Sequence, residues 1–190
     1  MNQYKKSDYC YTALFCEENI WYLARSLIDE GIKEEDIDIL FLTNKNKQIA
    51  IFKQLSAERK QPVIWDYHVI LMAKIEQSHY IFDFDTRLDF ITNYEFYIKN
   101  CLPNNINPLY QSQFRIIPAQ IYLKQFYSDR SHMKNIIAES EFPDYPAIGS
   151  NSEKKINLKD LFNIENNIDS TFIVHNSEQL LHALSEKIEY

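Results

Sequence analysis

A cysteine at the start of a predicted amphipathic helix is the residue of this sequence best placed for covalent chemistry. Cys16 opens the segment CEENIWYLARSLIDEG. Backbone N–H groups left free at a helix N-terminus stabilise a thiolate, which lowers the pKa of the thiol, and the same groups can receive an oxyanion. The alternative is that Cys16 is a small buried hydrophobic residue, which is the commonest fate of a free cysteine.

A nucleophilic cysteine needs a base, and this chain has five histidines. His68 lies in a predicted strand, where a neutral imidazole could take the thiol proton and later protonate a leaving amine. His132, in the polar segment SDRSHM, is the rival candidate. The other three are predicted to lie at a turn, at a strand end and on a helix surface: His79, His175 and His182.

A third group must orient the imidazole, and Asp83 and Asp85 lie on one face of the strand that follows. With a short turn between the two strands, Asp85 falls nearer to His68, and Asp83 reaches it only through a bulge or a tilt of the strand. The spacing leaves both aspartates open. The same three side chains could also hold a cation, but a carboxylate pair without paired histidines is more typical of a solvent-facing surface.

The helix that carries Cys16 is predicted from the 3.6-residue repeat of its apolar side chains. These residues are Ile20, Leu23, Ala24, Leu27 and Ile28. Glu17 and Glu18 in the first turn suit the positive end of the helix dipole, and Gly31 after the last turn suits a C-terminal cap. We therefore expect the helix to run from Cys16 to the residues just before Gly31.

The strand that holds His68 is predicted as one long element. After Pro62, the run VIWDYHVILMAKI alternates so that Asp66 and His68 share a face with Ile70 and Met72. This places a histidine among mostly apolar neighbours.

Shorter strands are predicted on either side of this one. A turn at residues 76–78 leads into a return strand at Tyr80–Phe84, which carries the first of the two aspartates. Upstream, two β-prone runs, Asp38–Thr43 and Gln48–Lys53, predict a hairpin across the polar residues 44–47.

The second half of the chain is less regular. Its predicted elements are helices at Tyr94–Cys101 and Ser177–Ile188, a helical turn at Asn157–Phe162, a strand in FRIIPAQIYL that continues into a helical stretch, and a strand in TFIVH. The C-terminal helix is predicted to turn these residues inward: Leu180, Leu181, Leu184 and Ile188. Because helices and strands mix without a regular βαβ order, an α+β fold with an antiparallel or mixed sheet is favoured.

Composition and charge narrow the class of protein further. The chain has 190 residues, 45% of them hydrophobic, which excludes a wholly disordered chain, and no repeat or linker divides it, so we expect a single domain over residues 1–190. A net charge of −7 leaves no broad basic field for nucleic acid. No apolar run approaches membrane-spanning length, so no membrane partner is expected.

Three cysteines, an odd number without the spacing of a zinc site, are expected to be free thiols in a reducing compartment. The expected location is therefore the cytoplasm, and also the nucleus if the host is a eukaryote.

Four segments resemble hallmarks of the eukaryotic-type protein N-terminal glutamine amidohydrolases. They are YCYTALFCEENIW (Tyr9–Trp21), PVIWDYHV (Pro62–Val69), YIFDFDT (Tyr80–Thr86) and FYSDRSHMK (Phe126–Lys134), in the order and spacing of that family. The later PDYPAIGSNSEKKINLKDLF is also similar. The resemblance implies a papain- and transglutaminase-like cysteine hydrolase fold of the α+β class, in which a mostly antiparallel sheet is flanked by helices and no cofactor or metal is needed.

The resemblance also implies a catalytic triad. The nucleophile corresponds to Cys16, which directly precedes EENIW, and the base corresponds to His68 of WDYH. The orienting acid is the first aspartate of D-x-D-T, which is Asp83 here, with Asp85 as the alternative. One departure is the turn between the two strands, which is only EQS in this chain and is shorter than in the family.

The implied reaction converts the N-terminal glutamine of a protein or peptide to glutamate, through a cysteine thioester and with release of ammonia. A free α-ammonium group can be recognised by a carboxylate or by backbone carbonyls, and Asp66 and Asp129 are the candidates for lining the pocket. Arg130, Ser131 and His132 are candidates for lining the pocket or for anchoring its loop. We expect a monomeric enzyme whose partners are chains that begin with glutamine.

Two other functions are compatible with the same residues. One is a different papain-like thiol hydrolase or a transglutaminase-type acyltransferase, which would act on peptide bonds or on internal glutamine. The other is a non-catalytic binder of glutamine-initiated chains, against which the intact set of triad residues counts.

Overall fold

The computed structural model describes residues 4–58, 60–149, 152–166, 168–169 and 171–186. The helices are α1 (Cys16–Asp29), α2 (Tyr94–Cys101), α3 (Ala119–Gln125), α4 (Leu158–Phe162) and α5 (Ser177–Glu186). The strands are β1 (Ile37–Thr43), β2 (Ile49–Ile51), β3 (Val63–Trp65), β4 (His68–Ile75), β5 (Ser78–Phe82), β6 (Ile91–Asn93), β7 (Gln113–Pro118) and β8 (Ile173–Asn176).

Six of the strands form one antiparallel sheet in the order β6-β5-β4-β1-β7-β8, and β2 and β3 form a separate antiparallel pair. Helices lie on both faces of the large sheet. The prediction of an α+β fold with a mostly antiparallel sheet flanked by helices is therefore confirmed.

The two faces of the central strands bury two different cores. Val69 and Leu71 of β4 belong to the core that α1 and α3 cover. Ile70 and Met72 belong to the core beneath α2, β2 and α5. The strand alternation predicted for this part of the chain is therefore correct, and it assigns the two sides of β4 to different helices.

The predicted hairpin between Asp38–Thr43 and Gln48–Lys53 is wrong. Both edges of β1 are taken, one by β4 and the other by β7, so β2 pairs with β3 instead. The Asn44 side chain holds the chain as it leaves β1, because its amide donates to the carbonyls of Gln48 and Leu109 at 2.7 and 3.0 Å.

The single long strand predicted after Pro62 is also wrong, because the chain bends between β3 and β4. Asp66 stabilises the bend: its carboxylate accepts the Tyr67 N–H at 3.0 Å, and its carbonyl accepts the Thr43 hydroxyl at 2.8 Å. The bend moves the chain from the small sheet to the large one. Asp66 therefore does not share a strand face with His68.

The return strand begins earlier than predicted. A two-residue turn follows β4, with Glu76 at a φ of 58°, and β5 runs from Ser78 to Phe82 rather than from Tyr80 to Phe84. The strand consequently ends before it reaches either aspartate.

Helix α1 follows its predicted pattern closely. Its apolar residues Ile20, Leu23 and Leu27 are buried in the core under the sheet. The helix ends in a Schellman motif, in which the N–H of Ile32 bonds the Leu27 carbonyl and Gly31, at a φ of 101°, bonds the Ile28 carbonyl.

The remaining predicted elements agree with the structure in type and nearly in bounds. Helix α2 has the predicted bounds, β7 leads directly into α3, and Asn157 caps α4 through its side chain. In α5, Leu180 is buried as predicted, whereas the Leu184 side chain and Ile188 lie outside the described residues. Within the described part of the chain, no helix is both long and apolar enough to span a membrane.

Candidate active site

Cys16 is the first residue of α1 and is partly buried against the sheet. Its Sγ lies 3.6 Å from Oε2 of Glu17 and accepts a hydrogen bond from the backbone N–H of Val69, the residue after His68. Burial raises the pKa of the Cys16 thiol well above its usual value, the charges of Glu17 and Asp85 raise it further, and the Val69 N–H opposes them. The expected lowering of this pKa at the helix N-terminus is therefore outweighed by desolvation.

The loop before Cys16 is held in a fixed conformation. The Asn19 side chain donates to the carbonyl of Thr12 and accepts its N–H, both at 2.8 Å. Leu14 takes a left-handed φ of 70°, which is unusual for a residue other than glycine. Phe15, fully buried, then turns the chain into the helix. The position of the sulfur is therefore set by packing and by side-chain hydrogen bonds.

His68 is the first residue of β4 and is only 2% exposed. The paired residues of β5 end at Phe82, which faces Leu71, so the start of β4 extends past its neighbour. The imidazole Nε2 lies 2.9 Å from Oδ1 of Asp83. Burial lowers the pKa of His68, but the charge of Asp83 and this hydrogen bond raise it by more, so the net shift is upward.

Asp83 lies just beyond the end of β5, and both of its carboxylate oxygens are used. Oδ1 accepts from His68 and from the Asp85 N–H at 3.0 Å. Oδ2 accepts from the Tyr97 hydroxyl at 2.7 Å and from the Gln54 amide at 3.2 Å. Burial raises the pKa of Asp83, but the His68 charge and these hydrogen bonds lower it below its usual value overall. The carboxylate is therefore held ionised and in one orientation.

Asp85 has a different role from Asp83. Its carboxylate accepts the Tyr11 hydroxyl at 2.6 Å. A carboxylate oxygen of Asp85 lies within 4.8 Å of a ring nitrogen of His68, and its charge raises the pKa of both the His68 imidazole and the Cys16 thiol. Asp85 thus borders the site, whereas Asp83 bonds the imidazole.

A cation could in principle be held by His68, Asp83 and Asp85, whose ligand atoms all lie within 4.8 Å of one another. These atoms are already engaged in hydrogen bonds, however. Nε2 of His68 faces Asp83, and Asp85 accepts from Tyr11. The donor set therefore fits a hydrogen-bonded catalytic pair better than a metal site.

The site lies at the start of β4, beyond the end of β5, and receives side chains from both faces of the sheet. Cys16 arrives from the face that α1 covers, and the Asp83 partners Gln54 and Tyr97 come from the opposite face, where α2 packs. Between them, β5 has ended, which leaves the edge of β4 open at His68 and Val69, where Asp83 and the Cys16 sulfur bond the chain. A thiol, a buried imidazole and an oriented carboxylate are the elements of acyl-transfer chemistry at a carbonyl carbon.

The structure places on the surface the two aspartates predicted to line the pocket. Asp66 is exposed in the bend between β3 and β4, with its carboxylate on the Tyr67 N–H. Asp129 is also exposed, and its carboxylate accepts the Ser131 N–H at 2.9 Å. Hydrogen bonds from Ser131 lower the pKa of Asp129 below its usual value. Each carboxylate thus has a local structural partner.

Arg130 makes the contacts of a loop anchor. Its guanidinium forms a two-pronged ion pair with Glu18 of α1, with Nε–Oε1 at 2.9 Å and Nη2–Oε2 at 2.7 Å, and it also donates to the carbonyls of Pro143 and Tyr145. Glu18 is fully buried and also accepts the Ser128 hydroxyl at 2.6 Å. Arg130 therefore ties the loop after α3 to the helix that carries Cys16.

Ser131 and His132 line a pocket beside the site. Its other lining residues are Tyr127, Ser128, Asp129, Asn157, Leu158, Lys159 and Phe162. Nε2 of His132 lies 3.3 Å from Oε1 of Glu17, which brings the pocket wall to the residue next to Cys16. His132 thus lies near the nucleophile, but on the Glu17 side of it.

The sequence pattern does not indicate that Glu17 is buried. Its place in the first helical turn indicates only an acidic residue that complements the helix dipole. The side chain is fully buried, and it accepts the Tyr67 hydroxyl at 3.0 Å. Tyr97 and Gln54 are likewise missed, because they reach Asp83 from distant segments and carry no local signal.

Comparison with known proteins gives consistent results. A family model described as N-terminal glutamine amidase matches residues 11–184. The chain is similar to the protein N-terminal glutamine amidohydrolase of Danio rerio, with 38% identity over 156 residues, 79% of this chain and 77% of the relative. The Homo sapiens protein of the same name is 36% identical over 165 residues, 83% of this chain and 80% of the relative. The Caenorhabditis elegans protein is 30% identical over 175 residues, 88% and 92% of the two chains.

Proposed function

The chain belongs to the N-terminal glutamine amidase family, and on that premise we propose that it converts the N-terminal glutamine of a polypeptide to glutamate with release of ammonia. The observation that carries this proposal is that the sulfur of Cys16, at the N-terminus of α1, accepts the N–H of Val69, the residue after His68, whose buried imidazole bonds Asp83. Its partners are therefore proteins and peptides with a free N-terminal glutamine.

The proposed nucleophile is Cys16 and the proposed general base is His68. Because burial favours the protonated thiol, His68 takes the thiol proton as the sulfur attacks the side-chain carboxamide carbon of glutamine. The resulting imidazolium then protonates the departing amine. Ammonia leaves, and the glutamyl side chain remains as a thioester on Cys16.

Hydrolysis of the thioester completes the reaction. Water gives a proton to His68 and adds to the thioester carbon, and the collapse of this intermediate breaks the carbon–sulfur bond. The imidazolium returns its proton to the sulfur, which releases an N-terminal glutamate and restores the thiol.

Asp83 is proposed to orient the imidazole throughout the cycle. It accepts from Nε2, which leaves Nδ1 as the nitrogen that serves the sulfur and the leaving group. Its negative charge stabilises the imidazolium that forms in both steps. The first-turn N–H groups of α1 have no acceptor within the helix, and the backbone N–H of Cys16 is the proposed donor to the tetrahedral oxyanion.

The arrangement supports a papain- and transglutaminase-like fold as the finer description of the architecture. A cysteine at a helix N-terminus packs on an antiparallel sheet whose adjacent strands supply the histidine and lead to the aspartate. We further propose that the chain works as one catalytic domain and as a monomer in the cytoplasm, and size-exclusion chromatography at assay concentrations tests the oligomeric state.

Ammonia release tests the proposed function directly. The purified chain is incubated with three peptides of matched composition, in which glutamine is the first residue, an internal residue, or the first residue with an acetylated α-amine. We expect ammonia from the first peptide alone, and a mass increase of about 1 Da in that peptide. Ammonia from internal glutamine, or a cleaved peptide bond, would favour a transglutaminase-type or peptidase function instead. Binding without turnover would favour a non-catalytic role.

A further inference from the structure

We propose that the Glu17 carboxylate, together with Nε2 of His132, binds the α-ammonium group of the substrate's first residue. This inference rests on the proposed function, and it identifies the group that selects a chain end. It goes beyond the expectation drawn from the sequence, which named Asp66 and Asp129 only as candidates for lining the pocket.

Glu17 has a buried carboxylate oxygen that lacks a hydrogen-bond donor. Its side chain is 0% exposed, and Oε2 accepts the Tyr67 hydroxyl at 3.0 Å. Among the described residues, no donor is aligned on Oε1 and no partner is aligned on Nε2 of His132, although these two atoms lie 3.3 Å apart. A buried carboxylate oxygen left without a donor is costly, so the site is arranged for a donor that arrives with the substrate.

A primary ammonium group matches these two atoms. It has three N–H donors and no acceptor, and a neutral imidazole protonated on Nδ1 offers Nε2 as an acceptor. One ammonium could therefore donate to Oε1 of Glu17 and to Nε2 of His132 together, with its positive charge on the buried carboxylate. An acetylated or peptide-bonded nitrogen has at most one N–H and no charge, so it would leave the carboxylate largely unpaired.

The distance from Glu17 to the nucleophile suits glutamine. Sγ of Cys16 lies 3.6 Å from Oε2 of Glu17. In glutamine the α-nitrogen and the side-chain carboxamide carbon are four bonds apart, about 5 Å when extended. An ammonium held at about 3 Å from the Glu17 carboxylate thus allows the carboxamide carbon to reach the sulfur.

The pocket beside the site leads to the same residues. His132 and Phe162 both line it. The Phe162 ring packs edge-on against Tyr67 at 4.9 Å, and Tyr67 bonds Glu17. One wall of the pocket therefore packs against Tyr67 through Phe162, and another reaches Glu17 through His132.

A double-mutant cycle between Glu17 and the substrate amine tests this proposal. The full chain and its Glu17→Gln variant are assayed by ammonia release with two substrates. One is a glutamine-initiated peptide, and the other is the same peptide with a glutaramoyl group in place of glutamine, which lacks only the α-amine. Glu35→Gln is the matched control, because this glutamate is exposed and distant from the site. Comparing two substrates on one preparation cancels any difference in the fraction of folded enzyme.

With Glu17→Gln, we expect kcat/KM for the free-amine peptide to fall by about 100-fold and kcat/KM for the glutaramoyl peptide to change by less than about 3-fold. Equal losses with both substrates would overturn the proposal and leave Glu17 as a residue that merely positions Cys16. The proposal would also be overturned if Glu17→Gln had no selective effect and kcat/KM for the free-amine peptide fell selectively in Asp66→Asn, Asp85→Asn or Asp129→Asn instead.

A binding measurement provides a readout that does not depend on turnover. In a Cys16→Ala background, Glu17→Gln should weaken binding of the free-amine peptide by calorimetry and leave the weak binding of the glutaramoyl peptide unchanged. Unchanged affinity for the free-amine peptide would overturn the proposal. If the wild-type chain releases no ammonia from the glutamine-initiated peptide, the proposed function fails. The Glu17 assignment is tested separately by the selective loss of binding, which does not require turnover.

Discussion

Nε2 of His68 lies 2.9 Å from Oδ1 of Asp83, although the register of the two strands favours Asp85. The paired residues end at Leu71 and Phe82, and the same register continued would set Asp85 opposite His68. The chain leaves the strand after Phe82 and turns the Asp83 carboxylate to the imidazole instead. This departure from regular strand geometry determines which aspartate can orient the proposed base.

Asp83→Asn should lower activity and shift its pH dependence to lower pH. Because burial raises the pKa of the Cys16 thiol and so favours its protonated form, His68 must be neutral to take the thiol proton, and kcat/KM rises as pH increases through the His68 pKa. Asp83 raises that pKa above 6.5, so its removal leaves burial to lower it. We expect kcat to fall by roughly 10³- to 10⁴-fold and the acid limb of the kcat/KM profile to move to lower pH.

The comparison for this prediction is Asp85→Asn. Asp85 also raises the His68 pKa through its charge but does not bond the imidazole. In Asp85→Asn, the acid limb of the kcat/KM profile should therefore move less, and kcat should fall less, than in Asp83→Asn. A larger effect from Asp85→Asn than from Asp83→Asn would reverse the assignment of the orienting acid.

Cys16→Ala should abolish ammonia release without loss of the fold. The thiol is proposed to form the thioester, and replacing a partly buried thiol by a methyl group changes little volume, so the free energy of unfolding should change by less than about 1.5 kcal/mol. Ammonia assays and urea denaturation measure the two effects. Cys10→Ala is the matched control, because Cys10 is an exposed cysteine in the same N-terminal segment, and it should keep full activity. Turnover by Cys16→Ala at a similar rate would contradict the nucleophile assignment.

Arg130→Met should destabilise the protein by about 3 kcal/mol in urea denaturation, because it leaves the Glu18 carboxylate buried without its cation. Glu18 is 0% exposed and Arg130 is only 12% exposed in their ion pair. The loop after α3 should also become more sensitive to protease.

An exposed ion pair on α2 provides the comparison for Arg130. Lys99 and Glu95 pair at 3.0 Å with side chains 62% and 47% exposed. Lys99→Met should therefore cost less than about 1 kcal/mol. Equal costs for the two variants would mean that burial of the Glu18 pair contributes nothing to its strength.

Gly31→Ala should destabilise the protein by about 1 kcal/mol. Gly31 ends α1 with a φ of 101°, a conformation that a residue with a Cβ rarely adopts, and an added Cβ would meet nothing within 4 Å. The cost is therefore backbone strain rather than a clash. Thermal unfolding should show a Tm lower by about 2–4 °C.

Gly149→Ala isolates this effect. A Cβ added at Gly149 would also meet nothing within 4 Å, but this glycine does not lie in the left-handed region, so its substitution should leave the Tm unchanged or slightly higher. A loss at Gly149 as large as the loss at Gly31 would rule out backbone strain as the cause.

The sequence by itself determines the local elements that present the chemistry. The 3.6-residue repeat and Gly31 fix α1, so Cys16 is recognised at a helix N-terminus before any tertiary contact is known. The bounds of α2 and the strand-to-helix order of β7 and α3 follow in the same way. These features are predictable because a periodic pattern and a cap depend on residues a few positions apart.

Only the tertiary structure decides which strands pair and where the buried charges lie. β1 pairs with β4 and β7 rather than with β2, and the run through His68 divides between two sheets. Glu17 is fully buried although its sequence pattern shows only a first-turn acid, and Asp83 rather than Asp85 bonds His68. The physical reason is that strand partners, and the hydrogen-bond donors that make a buried carboxylate tolerable, come from segments far apart in the chain, whose meeting no local pattern encodes.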